Sequence, residues 1–357
     1  MKTLSVALVP GDGIGQEVVP AARRILEKAC EGEQLRLEFA SYDWGSEYYF
    51  RHGMMMPVDA LERLRSHDAI LLGAVGHPDI PDHITLHGLL LPIRRGFDLY
   101  ANVRPAYLYP GVRSPLAGYE PGSIDMVVVR ENTEGEYAPI GGFLYHHMPE
   151  ETAVQTAVFT RHGCERIIRH AFDLARLRNR KRRVTSVTKS NAQAYGMVLW
   201  DRVFRAVAAE YPDIAADSLL VDAAAMDFVR RPAYFDVVVA SNLFGDILSD
   251  LSAIVTGGIG LAPSANIDPH RRNPGLFEPV HGSAPDIAGK GKANPMGCIL
   301  ASAMMLDHLG IGAAAARMEQ AVRAVLAAGD VLTPDLGGKA STSDVVAAVE
   351  SRLKAAL

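Results

Sequence analysis

Cysteine, tryptophan and any excess of positive charge are all scarce in this chain of 357 residues. Its three cysteines, Cys30, Cys164 and Cys298, lie far apart, with no Cys-x-x-Cys pairing. That excludes a disulfide framework and a thiolate metal site, and it fits a reducing compartment. Thirty-six basic against 41 acidic residues leave a net charge of -5, so no basic field is available for nucleic acid or an anionic membrane surface. The run Arg178-Asn179-Arg180-Lys181-Arg182-Arg183 is locally basic but abuts the strand-like Val184-Thr185-Ser186-Val187, and reads as a solvated helix-to-strand connection. No apolar run approaches the roughly 20 residues that span a bilayer. The amino-terminal apolar stretch is too short for a secretory core before its glycine turn. A soluble cytoplasmic protein is expected, without internal repeats or low-complexity tracts.

What the chain does have is apolar content, 48 % over a length that exceeds one ordinary core, so two domains are expected. Strand-like runs alternate with helical ones: Leu4 to Val9, a helix near Gly15 to Cys30, Leu35 to Phe39, a helix near Asp59 to Ser66, and Ala69 to Leu72. Further β-branched runs follow at Ile124 to Val129, Val184 to Val187 and Val237 to Ala240. The pattern is α/β with a substantially parallel sheet, and ligand chemistry in such sheets gathers beyond strand carboxyl ends. Two Pro- and Gly-dense stretches, Arg104 to Gly122 and Pro263 to Pro279, read as crossings between domains. Between about Gly135 and Thr160, a turn at Gly141-Gly142 separates two extended segments that suit an arm reaching toward a partner subunit. Ala313 to Ala328 is amphipathic, and Ser341-Thr342-Ser343-Asp344 resembles a capping box before Val345 to Leu353.

Chemistry concentrates first in Ser241-Asn242-Leu243-Phe244-Gly245-Asp246-Ile247-Leu248-Ser249-Asp250, directly after an apolar strand. Asp246 and Asp250, four apart, share one helix face, where like charges repel unless a cation lies between them. A divalent metal is the first expectation. Pro10-Gly11-Asp12-Gly13-Ile14-Gly15-Gln16 follows the first strand but lacks a glycine where Gln16 stands and has Gly15 one position early. It therefore reads as a tight strand-to-helix turn rather than a Rossmann pyrophosphate site. Glu278 to Pro295 packs small residues beside Asp286, as a nucleotide-approaching loop does. Taken alone it reads equally as a surface loop with helix-terminating glycines.

Together with Leu99-Tyr100-Ala101-Asn102-Val103-Arg104-Pro105 and Val129-Arg130-Glu131-Asn132-Thr133-Glu134-Gly135-Glu136-Tyr137, the Ser241 to Asp250 segment and the His281 to Pro295 loop resemble the metal-dependent β-decarboxylating dehydrogenases, the family of isocitrate, isopropylmalate and tartrate/D-malate dehydrogenases. The resemblance runs in order along essentially the whole chain. It implies an isopropylmalate dehydrogenase-like two-domain fold with a mixed parallel and antiparallel sheet, not a Rossmann fold. Residues 1–100 with 255–357 would carry the NAD site, and residues 101–254 the metal ligands, the dimer interface and an arm near 135–160. It also implies a homodimer with shared active sites, in which Asp246 and Asp250 of one subunit and Asp222 of the other hold Mg2+ or Mn2+. Potassium, K+, is a plausible activator from the family alone.

By the same resemblance Arg94, Arg104 and Arg130 clamp the carboxylates of a 2-hydroxy diacid, and guanidinium forks match carboxylates in geometry as well as charge. Arg95 reads as their solvated neighbour. Lys189 and Tyr137 match the family's base and acid, and cationic neighbours lower a lysine's pKa toward such work. His281, Gly282, Ser283, Ala284 and Asn294 would line the adenosine side of the cofactor, with Asn191 toward the nicotinamide. Asp286 would accept from the ribose hydroxyls and repel a 2′-phosphate, which favours NAD.

Before the first clamp arginine the segment Ile84 to Ile93 lacks the Ser and Asn partners expected for isocitrate. Leu89 to Leu91, with Leu90 central, would suit isopropylmalate. Asp43 to Tyr49, His52 to Pro57 and Pro81 to Leu86 resemble the tartrate/D-malate branch, which is the favoured reading. Against it, that branch commonly has Trp where His87 stands; His87 suits a partner for a C3 hydroxyl and an exposed loop residue equally. A catalytically silent NAD-binding regulatory subunit is the non-enzyme alternative, and it predicts losses among the lysine, tyrosine and metal carboxylates that this chain does not show.

Overall fold

The computed structural model describes residues 2–356 except 32 and 34. Its strands are β1 (Lys2–Gly11), β2 (Leu35–Ser41), β3 (Ala69–Ala74), β4 (Ala101–Tyr107), β5 (Asp125–Glu131), β6 (Gly141–Leu144), β7 (Thr152–Gln155), β8 (Arg183–Thr188), β9 (Ala215–Leu220), β10 (Val237–Ala240), β11 (Pro263–Ile267) and β12 (Gly275–Pro279). Ten of them form one sheet in the order β2-β1-β3-β12-β11-β4-β5-β10-β8-β9, and β6 and β7 form a separate hairpin. The outer wings are parallel, β2-β1-β3-β12 on one side and β5-β10-β8-β9 on the other. Between them β12-β11-β4-β5 pair antiparallel and make a central seam.

Every residue of β3 and β10 is buried, as continuous apolar runs in doubly covered strands require. The edge strands β2 and β9 have mixed burial. Helices Gly15–Ala29 and Met296–His308 pack on each other and on the first wing, and helix Arg161–Arg178 packs on β5, β8 and β10. At the start of the last helix the Asp344 N–H donates to Ser341 Oγ (3.2 Å), while the Asp344 carboxylate accepts from the Ser341 N–H (2.9 Å), closing the expected capping box.

Both Pro- and Gly-dense stretches read as crossings between domains contribute strand to the seam. Arg104 and Pro105 lie in β4, and Pro263 to Pro279 supplies the antiparallel pair β11-β12. Proline is tolerated here because β11 pairs β4 only across Ala101–Val103. Continuing that register would set Pro263 against Pro105, and neither has an N–H to donate, so the ladder ends there. The arm differs in detail. Gly141 and Gly142 belong to β6, and the chain reverses between Leu144 and Thr152. A Cβ on Gly141 would stand 2.1 Å from the Val154 carbonyl oxygen, so glycine serves close strand approach there rather than the turn.

Candidate functional site

The helix Asn242–Val255 begins where β10 ends, with Ser241 as N-cap. Glu136 fixes its start by accepting from Ser241 Oγ (2.8 Å) and the Leu243 N–H (3.1 Å), a carboxylate satisfying a free helix donor. One turn in, Asp246 meets three groups from the seam side. Arg104 Nη1 donates to its Oδ1 at 3.1 Å, Arg130 Nη1 to the same oxygen, and the Tyr137 hydroxyl to Oδ2 at 2.8 Å. Arg104 also donates to Ser249 Oγ (2.7 Å) and stands 3.7 Å from Asp250. Arg130 is oriented by Asn242 Oδ1, which accepts from its Nε at 3.0 Å and its Nη2 at 2.7 Å. Arg94, in helix Leu91–Gly96, donates to Glu278 of β12 at 2.7 Å in a buried ion pair.

Arg94, Arg104, Arg130, Tyr137, Asp246, Asp250 and Glu278 line one cavity of about 230 Å³, with Gly73 to Val75 at the end of β3, Leu86, Leu90, Leu91 and Val280 to Gly282. Burial acts to raise the Asp246 carboxyl, but the Arg130 and Arg104 guanidiniums outweigh it and the net displacement is downward. Asp250 is displaced upward by burial, with Arg104 opposing and the Asp246 charge adding. Burial lowers Arg130 to about 10 against the pull of Asp246. Tyr137 is raised by burial and by the carboxylate it bonds.

Lys189 and Asp222 lie elsewhere. Lys189 follows β8 and donates to Asp222 Oδ1 at 2.8 Å, which lowers the Asp222 carboxyl. Neither lines the arginine cavity, and Asn191 is exposed in the turn after β8. Among the described residues no group of three or more His, Cys, Asp or Glu side chains is placed to hold a metal ion. His87 is exposed on a single π-turn, Leu86–Leu90, that aims Leu86 and Leu90 at the cavity and leaves His87 outside its lining. Burial lowers its pKa, with Arg95 and His83 adding. Such one-turn π insertions occur often at functional sites.

A second cavity, about 370 Å³, is lined by His281, Ala284, Ile287, Lys292 and Asn294 with Ile14, Ile259, Gly260, Pro334 and Asp335. His281 lines both cavities, so the loop from Val280 to Ala284 lies between them. Its Nε2 is buried without a partner, while Nδ1 meets the Gly282 carbonyl at 3.0 Å. Asn294 is held by donating to Asp335 (3.0 Å) and accepting from the Met296 N–H (3.0 Å). The Ser283 carbonyl accepts from the Ile14 N–H at 2.9 Å, and Asp286 is exposed. Gly13 is obligatory, since a Cβ there would stand 2.0 Å from the Ser283 oxygen. A third cavity, about 760 Å³, lies beyond that contact around Asp12, Trp44 and His77 and shares no lining residue with the arginine cavity.

Residues 5–349 match the family model described as isocitrate/isopropylmalate dehydrogenase. The chain belongs to that family. Over 98 % of its length it is 53 % identical to a decarboxylating D-malate dehydrogenase of Escherichia coli K12, of which it covers 98 %. It is 51 % identical to a tartrate dehydrogenase/decarboxylase of Pseudomonas putida, covering 98 % of this chain and 97 % of that one. A crystal structure of isocitrate dehydrogenase from Methylococcus capsulatus superposes with a TM-score of 0.88 at 40 % identity, over 99 % of this chain and 100 % of that one.

For this isocitrate/isopropylmalate dehydrogenase family member, the sequence did not announce every residue at the site. Arg95 is not a solvated neighbour: it is half-buried and donates to the Tyr137 backbone carbonyl. Glu278 had no expected role, yet it holds Arg94. Its one signal was an acidic residue inside an otherwise apolar strand, where a buried charge requires a partner.

Proposed function

We propose that the protein oxidatively decarboxylates D-malate or tartrate, using NAD and a divalent cation. The observation that carries this reading is the convergence of Arg94, Arg104, Arg130 and Tyr137 with Asp246 and Asp250 on one cavity of about 230 Å³. The identity with the D-malate and tartrate enzymes supports the substrate class. Three guanidiniums and three carboxylates, counting Glu278, line that cavity. A dicarboxylate dianion therefore enters without excess charge when a divalent cation accompanies it.

The donor set fits such an ion: Asp246 and Asp250 present hard oxygens one turn apart, the type that Mg2+ and Mn2+ select. The second cavity fits an adenosine, since the unpartnered His281 Nε2, Asn294 and Asp335 offer polar contacts among apolar walls. Asp286 and the absence of a Lys-Tyr pair at 286–287 favour NAD over its 2′-phosphorylated form. When bound, the dinucleotide would supply the hydride acceptor and the cation, held by Asp246 and Asp250, Lewis-acid stabilisation of the charge that develops on the C2 oxygen.

The chain's own residues do the rest. Arg94, Arg104 and Arg130 bind the two carboxylates and fix which face of C2 is presented. Lys189 takes the C2 hydroxyl proton as the hydride leaves C2. The C3–carboxylate bond then breaks, CO₂ departs with its electrons left on C3, and Tyr137 returns a proton to that carbon. Lys189 and Asp222 reach this site from a second copy of the chain. Unpartnered apolar side chains support that assembly: Met226 and Val229 on helix Val221–Arg230 and Ile247 and Ile254 on helix Asn242–Val255 are exposed, as are Phe143 and Leu144 on the β6-β7 arm. The division into 1–100 with 255–357 and 101–254 runs through the seam, where closure would exclude water from the cavity. The three cysteines are free and buried, as a cytoplasmic enzyme allows.

Leu86, Leu90 and Leu91 in the lining favour a second reading, 3-isopropylmalate, which needs an apolar wall. The deciding experiment is NADH formation with NAD and Mn2+ across D-malate, the tartrate stereoisomers, 3-isopropylmalate and isocitrate, with CO₂ release followed alongside. The highest kcat/KM is expected for D-malate or a tartrate. A preference for 3-isopropylmalate selects the second reading, and no NADH from any of them refutes both.

A further inference from the structure

The arginine cavity rests on three buried amides, Asn102, Asn132 and Asn266, none of which lines it. In the seam, Asn102 of β4 pairs with Arg130 of β5 on one side and with Asn266 of β11 on the other. Asn266 is fully buried and uses every hydrogen-bonding capacity an amide side chain has. Its Oδ1 accepts from Asn102 Nδ2 (2.9 Å) and from Asn132 Nδ2 (3.0 Å), two residues beyond Arg130. Its Nδ2 donates to the Leu276 carbonyl (3.1 Å) and to Glu278 Oε1 (2.9 Å). That same Glu278 oxygen receives Arg94 Nη2 at 2.7 Å. A reversed amide would set oxygen against both acceptors and NH₂ against both donors, so the orientation is fixed by its surroundings.

The three clamp arginines come from three places, Arg94 on a helix, Arg104 on β4 and Arg130 on β5. Arg104 and Arg130 are located by their own strands. Arg94 is located through Glu278, and Glu278 by Asn266, which is tied to β4 and β5 through Asn102 and Asn132. We propose that Asn266 is a positioning residue for substrate binding: acting through Glu278, it sets the Arg94 guanidinium at the correct separation from Arg104 and Arg130. A dicarboxylate spans fixed distances between its carboxylates, so an error in that separation weakens the diacid specifically and leaves the dinucleotide site alone. This inference deepens the proposed substrate reading and rests on it.

The test is a double-mutant cycle with a matched control. Asn266→Ala removes the donor to Glu278, Glu278→Gln removes the charge that receives Arg94, and Ser264→Ala is the control. Ser264 is equally buried on the same strand and its Oγ accepts from Asn102 at 2.8 Å; it sits opposite Glu278 in the β11-β12 ladder but its hydroxyl makes no hydrogen bond to that carboxylate. Asn266→Asp, which keeps the volume and the acceptor for Asn102 and Asn132, serves where the alanine variant does not fold. The readouts are dissociation constants and KM for D-malate and for NAD, with thermal midpoints for all variants.

Either Asn266 variant is expected to raise the D-malate constants roughly tenfold or more, the scale of one hydrogen bond to a buried charge, with NAD constants within about twofold. Ser264→Ala keeps wild-type constants, and adding Asn266→Ala to Glu278→Gln produces no further rise, because both act along one path. Additive effects in the cycle overturn the inference, as do unchanged D-malate constants in a folded Asn266 variant or an equal rise in Ser264→Ala. Wild-type protein that binds no dicarboxylate overturns the substrate reading and this inference with it, whereas the other failures leave the substrate reading intact.

Discussion

Glycine in the middle of a helix ordinarily costs about 1 kcal/mol relative to alanine, so Gly245→Ala should stabilise the Asn242–Val255 helix. The packing around it reverses the sign. A Cβ at 245 would stand 2.6 Å from the Cβ of Arg130, 2.7 Å from its Cγ and 3.1 Å from its Cα. Carbon atoms pack favourably only from about 3.5 Å outward, so helix and strand must part by nearly ~1 Å. The third of these atoms is part of the β5 backbone, and no rotamer change relieves the crowding against it. Overpacking of this kind costs about 1–3 kcal/mol, which leaves a net loss of roughly 0–2 kcal/mol after the helix gain is subtracted. The functional effect should be larger than the structural one. Asp246 is the next residue and Arg130 the displaced one, so the ion pair between them opens, and misplacement on this scale costs on the order of 100-fold in turnover. Thermal unfolding and kcat/KM for D-malate with NAD and Mn2+ measure both, with Gly312→Ala at the exposed start of helix Gly312–Ala328, where a Cβ meets only Asp307 Oδ1 at 3.5 Å, as control. A Gly245→Ala enzyme with wild-type kcat/KM would refute the reasoning that this close approach sets the geometry of the site.

Tyr137→Phe should lower kcat for D-malate by about 100-fold or more with little change in KM, since a general acid contributes roughly 10²–10⁴ and binds no carboxylate; a change confined to KM would remove the tyrosine from that role. Asp286→Ala should weaken NAD binding and narrow its advantage over NADP, read from the two KM values. Phe143→Asp on the arm should shift the protein toward monomer in sedimentation velocity and reduce activity in step, because Lys189 then no longer reaches the arginine cavity. Burial holds His170 and His308 at about 4, below the ordinary 6.5. The unfolded chain therefore binds more protons than the folded one between those values, and stability falls as pH drops from about 6.5 toward 4. Glu131, raised by burial to about 7, acts in the opposite direction over 4.5–7. The histidine contribution is therefore isolated as the smaller acid-side loss of melting temperature in His170→Leu than in wild type.

The wings of the sheet were legible because a doubly covered strand must be a continuous apolar run, as Ile124 to Val129 and Val237 to Ala240 are. Asp246 and Asp250 were legible because like charges four apart on a helix require an explanation. The antiparallel seam was not, since proline and glycine density reads as loop. Only the pairing partners reveal that Pro105 and Pro263 stand where a ladder is free to stop. Asn102, Asn132, Asn266 and Glu278 were silent for a related reason. Asn102, Asn266 and Glu278 are polar residues within strands and Asn132 lies just past the end of β5; their partners lie up to 184 positions away, and no local periodicity encodes such a pairing. Arg95 looked solvated because helical spacing places it beside Arg94, whereas the Tyr137 carbonyl it meets comes from a segment more than 40 residues on.

The seam also dictates an order of events during synthesis. The β5-β10-β8-β9 wing is encoded between residues 125 and 240 and is complete as soon as that stretch has left the ribosome. The other wing has β1, β2 and β3 early but no neighbour for the far side of β3 until β12, which ends at residue 279. At about 5–20 residues per second the chain waits roughly 10–40 seconds between completing β3 and β12. Throughout that interval the β3 edge, apolar along its whole length, is open to pairing with other nascent chains. Newly made protein should therefore depend on chaperones most during the second half of its translation, and truncations ending between residues 74 and 275 should aggregate through β3.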